Sequence, residues 1–105
     1  MKVTPDSIEQ VGRSLGQAAR AQRVILFGSR ASGGARSDSD VDFLVIADSS
    51  LPRHKRSRPL YAMFRPYPFP MDILVFTPKE VALELKKKGS LVASALAQGR
   101  EIYVG

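Results

Sequence analysis

The stretch 23-RVILFGSRASGGARSDSDVDFLVIA-47 decides the fold, because it places two apolar runs on either side of a polar, glycine-rich loop. The first run, Arg23 to Phe27, is short and β-branched, and it predicts a buried strand that stops at Gly28. The second run, Val41 to Ala47, predicts another strand, in which Asp42 is the one charged residue. The loop between the two strands could contain one helical turn that starts at Ser29.

The sequence on both sides of this stretch predicts helices and further strands. Thr4 and Pro5 suit the N-cap and first position of a helix, in which Ile8, Val11 and Leu15 recur at helical spacing. The other predicted elements are a strand at 71–76, helices from 78 to about 88 and from 90 to 97, and an edge strand at 101–104. This order predicts an α/β or α+β fold, with a small mixed β-sheet flanked by helices.

The composition fits one domain over residues 1–105. No apolar run approaches the roughly 18 residues of a membrane-spanning helix, and the first ten residues lack the apolar segment of a secretory signal. The absence of cysteine excludes disulfides and thiolate metal sites, so we expect a cytoplasmic protein. The net charge of +6 either attracts phosphates, nucleic acid or an acidic protein, or serves solubility alone.

Gly28 and Ser29 form a candidate phosphate-binding turn. A glycine at the exit of a buried strand lets the backbone turn sharply, and the first N–H groups of a following helical turn attract anions. The Ser29 hydroxyl and N–H could then bind a phosphate oxygen. On its own the pair is weak, because a Gly-Ser turn after a strand is also common for structural reasons alone.

Three acidic residues form a candidate metal site. Asp40 and Asp42 are two residues apart, so they share one face of the second strand, and carboxylates on one face suit one metal ion or a pair of them. Asp72 opens the next strand, where a neighbouring strand end could bring it beside the other two. There it could ligate metal and accept the proton of an attacking hydroxyl; the alternative is an ordinary strand-entry residue.

Other sites for these acids do not fit the sequence. A calcium loop that starts at Asp38 would need glycine at Phe43 and glutamate at Ser49. The Gly-Lys-Ser/Thr of a Walker loop and the Gly-x-Gly-x-x-Gly of a dinucleotide site are absent, and a single histidine without cysteine makes zinc a poor candidate.

The block GSRASGGARSDSDVD resembles the polymerase-β-like nucleotidyltransferase superfamily, and in particular its minimal nucleotidyltransferases. Gly28-Ser29 is followed by ten residues and then by Asp40-x-Asp42, apolar strands flank the block, and Asp72 falls where the family places its third acid. The resemblance covers roughly residues 5–76. It implies that Gly28 and Ser29 bind the triphosphate of ATP, that Asp40, Asp42 and Asp72 hold Mg²⁺, as two ions, and that Asp72 acts as or assists the base.

The resemblance also implies a partner. Minimal nucleotidyltransferases are often antitoxins that act on a small helical toxin of the HEPN type, so we expect a protein acceptor. The alternatives are a non-catalytic nucleotide-binding antitoxin, a subunit of a small-molecule transferase of the aminoglycoside-modifying kind, and a basic RNA-binding protein. A homo-oligomer or hetero-complex through the 101–104 edge is also possible.

The segment at residues 49–70 is basic, rich in proline and free of acidic residues. A helix could begin near Pro52, but Pro59 must bend or break it. The basic residues of 53–65 could contact RNA or an acidic protein, or they could be solvated. Arg30 and Arg36, in the loop after Ser29, could contact phosphate or likewise be solvated.

Overall fold

The computed structural model describes residues 3–33 and 39–105. The helices are α1 (Pro5–Ala19), α2 (Ser29–Ser32), α3 (Arg53–Arg56), α4 (Arg58–Ala62), α5 (Pro78–Glu84) and α6 (Leu91–Gln98). The strands are β1 (Arg23–Phe27), β2 (Val41–Ile46), β3 (Met71–Phe76) and β4 (Arg100–Val104). No helix in these two ranges is long and apolar enough to cross a membrane.

The four strands form one mixed sheet in the order β3-β2-β1-β4. The central strand β1 pairs antiparallel with β2 and with β4, whereas β2 and β3 run parallel. Parallel neighbours need a crossover connection, and the segment that carries α3 and α4 provides it. The mixed sheet flanked by helices, and the edge position of the last strand, confirm the fold predicted from the sequence.

Apolar side chains cover both faces of the sheet. On one face, α1 and α4 pack on alternate residues of the strands, including Phe43 of β2, which is fully buried. On the other face, a smaller cluster packs the remaining strand residues, such as Leu44, against Val81 of α5 and Val92 of α6. The period-2 alternation of β2 therefore puts Asp42 on the same face as Leu44, towards α6.

Helix α1 is held by its cap and by a close approach to β4. Thr4 and Ser7 form the reciprocal hydrogen bonds of a capping box, which satisfies the first N–H groups of the helix. Gly12 and Gly16 look unfavourable in a helix, but a Cβ at position 16 would overlap the ring of Tyr103 on β4. The two glycines thus let the helix lie close to the sheet.

The predicted end of one helix is wrong. The helix expected to reach residue 88 ends at Glu84, because residues 85–89 are all exposed and burial does not stabilise a further turn there. Gly89, with φ of 75°, lies in the turn that follows and does not cap the helix. In the crossover, the helix expected near Pro52 is interrupted at Ser57, close to Pro59, and forms the short helices α3 and α4, which confirms the predicted break.

Candidate active site

The parallel register of β2 and β3 places Asp42 directly opposite Asp72. Both strands begin at the same end of the sheet, and β1 ends there with Phe27 paired to Asp42. Asp40 lies two residues before Asp42, where the chain enters β2, and it is exposed. The acidic residues thus meet at the end of the sheet where β1 turns into α2.

The carboxyl group of Asp42 has a raised pKa. Burial raises the pKa of Asp42 above its usual value of 3.8, and the charges of Asp72 and Asp40 raise it further. The neighbouring Asp72 side chain, as a hydrogen-bond partner, adds a smaller contribution to the same rise in the pKa of Asp42. Asp40 acts on Asp42 through its charge. A bound cation would offset this repulsion.

Gly28 forms the turn between β1 and α2, and its backbone requires glycine. Its φ of 76° and ψ of −157° lie in a region that residues with a Cβ avoid. A Cβ at this position would also collide with Oδ2 of Asp42. The turn therefore brings bare backbone against the Asp42 carboxyl, and Ser29, partly buried, is the first residue of α2.

The loop arginine Arg30 makes a structural contact. Its Nη2 and Nε donate to the carbonyl oxygen of Ser39 at 3.0 and 3.3 Å. This contact ties α2 to the residue just before Asp40, so Arg30 helps to hold both sides of the loop together. Arg36, the other arginine considered for phosphate, and Asp38 lie outside the described residues.

Two grooves border the acidic residues. The first, of about 770 Å³, is lined by Asp40 and by apolar and aromatic residues that include Tyr61, Phe69 and Met71. The second, of about 380 Å³, contains Gly28 and Asp42 and is closed by the α6 side chains Leu91, Ser94 and Gln98. Asp40 and Asp42 thus open onto different grooves. Because α6 lines the second groove, it is also part of the candidate site, which the sequence did not predict.

Tyr61 of α4 contacts the strand segment that carries Asp72. Its hydroxyl accepts a hydrogen bond from Ile73 N at 2.8 Å and makes a longer contact, 3.4 Å, to the carbonyl oxygen of Met71. Burial, and then the charge of Asp72, raises the pKa of the Tyr61 phenol, whereas the Ile73 N–H lowers it. Sequence reasoning missed Tyr61, because the partner of its hydroxyl depends on the path of the crossover.

The basic segment at 53–65 is in part structural. Arg56, whose side chain is 8% exposed, donates to both carboxylate oxygens of Glu80 and to the carbonyl oxygens of Leu51 and Val75. Arg53 also pairs with Glu80 and lies 4.4 Å from the ring centre of Phe76. The exposed basic residues of this segment are Arg53, His54, Lys55, Arg58 and Arg65.

The donor set fits a hard cation in its chemistry. Carboxylate oxygens are the ligands that Mg²⁺ prefers, and Asp42 and Asp72 lie together where no side chain of residue 28 intervenes. Among residues 3–33 and 39–105, however, no group of three or more His, Cys, Asp or Glu side chains is arranged to hold one metal ion. The arrangement is a carboxyl pair, with the third acid beside it.

The chain is similar to known proteins in its family pattern and in its fold. The family model described as a nucleotidyltransferase domain matches residues 8–98. A solved toxin–antitoxin structure with AMP-PNP is similar with a TM-score of 0.61 and 20% identity, over 92% of this chain and 73% of that chain. The MntA–HepT toxin–antitoxin structure gives a TM-score of 0.55 and 17% identity, over 95% and 73%.

The solved structure of a mutant MntA–HpeT toxin–antitoxin pair is similar with a TM-score of 0.56 and 16% identity, over 98% of this chain and 75% of that chain. No curated protein sequence matches the chain. At such identities the solved structures establish a shared fold, and together with the family model they confirm the polymerase-β-like nucleotidyltransferase fold that the sequence resemblance implies.

Proposed function

Because the chain belongs to the nucleotidyltransferase domain family, we propose that it transfers a nucleotidyl group, AMP from ATP, to an acceptor. One observation carries this proposal: the parallel register sets Asp42 opposite Asp72, beside a turn at Gly28 that has no side chain. That arrangement puts carboxylate oxygens next to backbone that carries no side chain, and a phosphate chain with its cation needs such close access.

We assign the roles as follows. Gly28 and Ser29 bind the triphosphate, and Asp40, Asp42 and Asp72 hold Mg²⁺. Bound Mg²⁺ neutralises charge on the phosphates and on the leaving group. Asp72 accepts the proton of an acceptor hydroxyl or amine, whose oxygen or nitrogen bonds to the α-phosphorus as the bond to pyrophosphate breaks.

The two grooves give the reactants separate approaches to these carboxylates. The groove with Gly28 and Asp42 adjoins the turn assigned to the triphosphate, so the nucleotide fits there. The larger groove, beside Asp40 and Tyr61, remains for the acceptor. Its apolar lining favours an acceptor that carries an apolar or aromatic group next to its nucleophile.

We further propose that the acceptor is a protein partner, and that the chain is an antitoxin. Three similar solved structures are toxin–antitoxin pairs, one of them with AMP-PNP. The resemblance to minimal nucleotidyltransferases points to a helical toxin of the HEPN type. A net charge of +6 favours an acidic partner surface, and a cysteine-free sequence suits the reducing cytoplasm.

A non-catalytic module that binds nucleotide and a partner is the second candidate. It is favoured by the arrangement of the acids, because in the described part of the chain they do not form a group of three around one ion. Catalysis then requires that cation binding draws Asp40 to the Asp42–Asp72 pair, whereas a binding module has no such requirement.

Transfer of radioactive label from α-labelled ATP decides between the two candidates. The chain is incubated with Mg²⁺, labelled ATP and a candidate helical toxin. The enzyme is supported if wild type labels the toxin and Asp42→Asn does not, although the variant still binds the toxin. Neutralisation of the toxin without label would support the binding module. A parallel incubation with aminoglycosides and free nucleotides, scored by pyrophosphate release, tests a small-molecule acceptor.

A further inference from the structure

The phenolic hydroxyl of Tyr61 bridges the residues on either side of Asp72. It accepts from Ile73 N at 2.8 Å and faces the Met71 carbonyl oxygen at 3.4 Å. We propose that Tyr61 is a positioning residue, which holds this part of β3 so that the Asp72 carboxylate stays opposite Asp42. Its effect on catalysis rests on the proposed function, but its effect on β3 does not.

β3 needs such support at this point. It lies at one edge of the sheet and pairs only with β2 there, and Asp72 is only its second residue. Strand ends fray unless they are tied down, and here the preceding Pro70 has no N–H to add to the ladder. On the β2 side the Pro70 carbonyl accepts from Val41 N at 3.0 Å; on the outer side the bond comes from Tyr61.

Tyr61 is itself held in place. Its backbone N–H bonds to the Ser57 carbonyl in α4 at 2.9 Å, and its half-buried ring packs against the core cluster that contains Leu60 and Phe69. Tyr67 contacts the same ring edge to face, with centroids 6.1 Å apart and planes at 79°. A side chain fixed at both ends can transmit its position to the backbone that it bonds.

The chemistry of the contact requires a hydroxyl. A phenol can accept from one peptide N–H while it donates to a neighbouring carbonyl, which phenylalanine cannot do. Tyr61→Phe keeps the ring in the core and in the groove, and it removes only the bond to β3. The substitution therefore separates positioning of Asp72 from packing.

The test compares Tyr61→Phe with two controls on the far side of the fold. Tyr103→Phe removes a phenol oxygen from β4, and Gly16→Ala loosens α1 from β4 without contact to the acids. Amide exchange at Ile73 reports the hydrogen bond. Paramagnetic titration with Mn²⁺ in the presence of a non-hydrolysable ATP analogue reports the carboxylates, with no acceptor present.

We expect Tyr61→Phe to speed exchange at Ile73 about tenfold and to weaken Mn²⁺ binding by about 10- to 100-fold. Both controls should keep wild-type Mn²⁺ affinity, including Gly16→Ala, which loses stability. Faster exchange with unchanged Mn²⁺ affinity would overturn the positioning role and leave a structural tyrosine. Unchanged exchange would overturn it outright.

The outcome for wild type separates this inference from the proposed function. If wild type binds neither Mn²⁺ nor the analogue, the proposed function fails. Exchange at the amides of Asp72 and Ile73 then decides the inference alone: acceleration at both in Tyr61→Phe supports the tie to β3, and no acceleration overturns it.

Discussion

Asp42 on β2 and Asp72 on β3 are paired in the parallel register, which places their side chains next to each other on one face of the sheet. Two negative charges on adjacent strands repel each other. Burial is the first cause of the raised pKa of Asp42, and the charge of Asp72 is the second. The repulsion between Asp42 and Asp72 therefore lowers the free energy of unfolding, while the same two side chains supply negative charge at the candidate site.

Asp42→Asn and Asp72→Asn should each lower nucleotidyl transfer by at least about 100-fold, because an amide neither holds a divalent cation well nor accepts a proton. Both variants should unfold at the same urea concentration as wild type or a higher one, since the repulsion is gone. Asp48→Asn, at the other end of β2 and exposed, is the control and should leave both properties unchanged. Full transfer by the two variants would exclude the pair from catalysis.

Gly28→Ala should impair nucleotide binding more than it impairs folding. The strained backbone costs about 1–3 kcal/mol for a residue with a Cβ, and the new Cβ displaces the Asp42 carboxyl. Gly89→Ala is the control, because Gly89 also has positive φ, at 75°, but faces open space. The two variants are compared by chemical denaturation and by titration with an ATP analogue. We expect both variants to lose stability and only Gly28→Ala to lose affinity for the analogue. Equal affinity in both would contradict the role of the turn.

The stability of the fold should depend on the ionisation of Glu80. Hydrogen bonds from Arg56, and then from the Thr77 N–H, lower the pKa of Glu80 from 4.5 to about 2. Because the folded-state pKa is depressed, the carboxylate stabilises the fold above pH 4.5, and this contribution is lost as pH falls towards 2.

Glu80→Gln should therefore lower the unfolding free energy at pH 7 by about 1–3 kcal/mol, and its difference from wild type should shrink in acid. Urea titrations at pH 7, 4 and 2.5 measure the trend. Glu9→Gln removes an exposed i,i+4 pair with Arg13 and should change stability by less than about 0.5 kcal/mol. A Glu80 effect that is constant across this pH range would show that charge is not its cause.

Gly16→Ala should destabilise the fold although alanine is the better helix former. Alanine gains about 1 kcal/mol in helix propensity, but its methyl group overlaps the Tyr103 ring, and overpacking costs about 1–3 kcal/mol. We expect a net loss of up to about 2 kcal/mol in urea or thermal unfolding. Gln17→Ala, exposed on the same helix, should be neutral or stabilising. A more stable Gly16→Ala would mean that α1 does not approach β4 this closely.

Local signals in the sequence were enough for most of the fold. Apolar runs identified β1, β2 and β3, and the Thr4 and Thr77 caps located the starts of α1 and α5. Such signals depend on a few neighbouring residues, so they predict helices and strands without knowledge of the tertiary structure. The predicted end of α5 was wrong because Leu85, an apolar residue just past the observed end of the helix, is 53% exposed and adds no burial there.

The candidate site needed information that the sequence does not contain. Its acids could be named from their spacing, but the register that pairs Asp42 with Asp72 depends on how the crossover packs. The contacts of Arg56 and Tyr61 depend on the same packing. The sequence does not show whether a basic residue or a tyrosine faces solvent or contacts a strand. The basic residues that make structural contacts could therefore not be distinguished from the exposed ones.

The contacts of the crossover with β3 have a consequence for self-association. An open strand edge is a template for another chain, but here the outward groups of alternate residues, Ile73 N–H and the carbonyls of Met71 and Val75, already bond to Tyr61 and Arg56. Within the four-stranded sheet, strand addition is therefore directed to β4. A homodimer built by strand pairing would join β4 to β4 about a twofold axis, with the acidic end of each sheet left accessible.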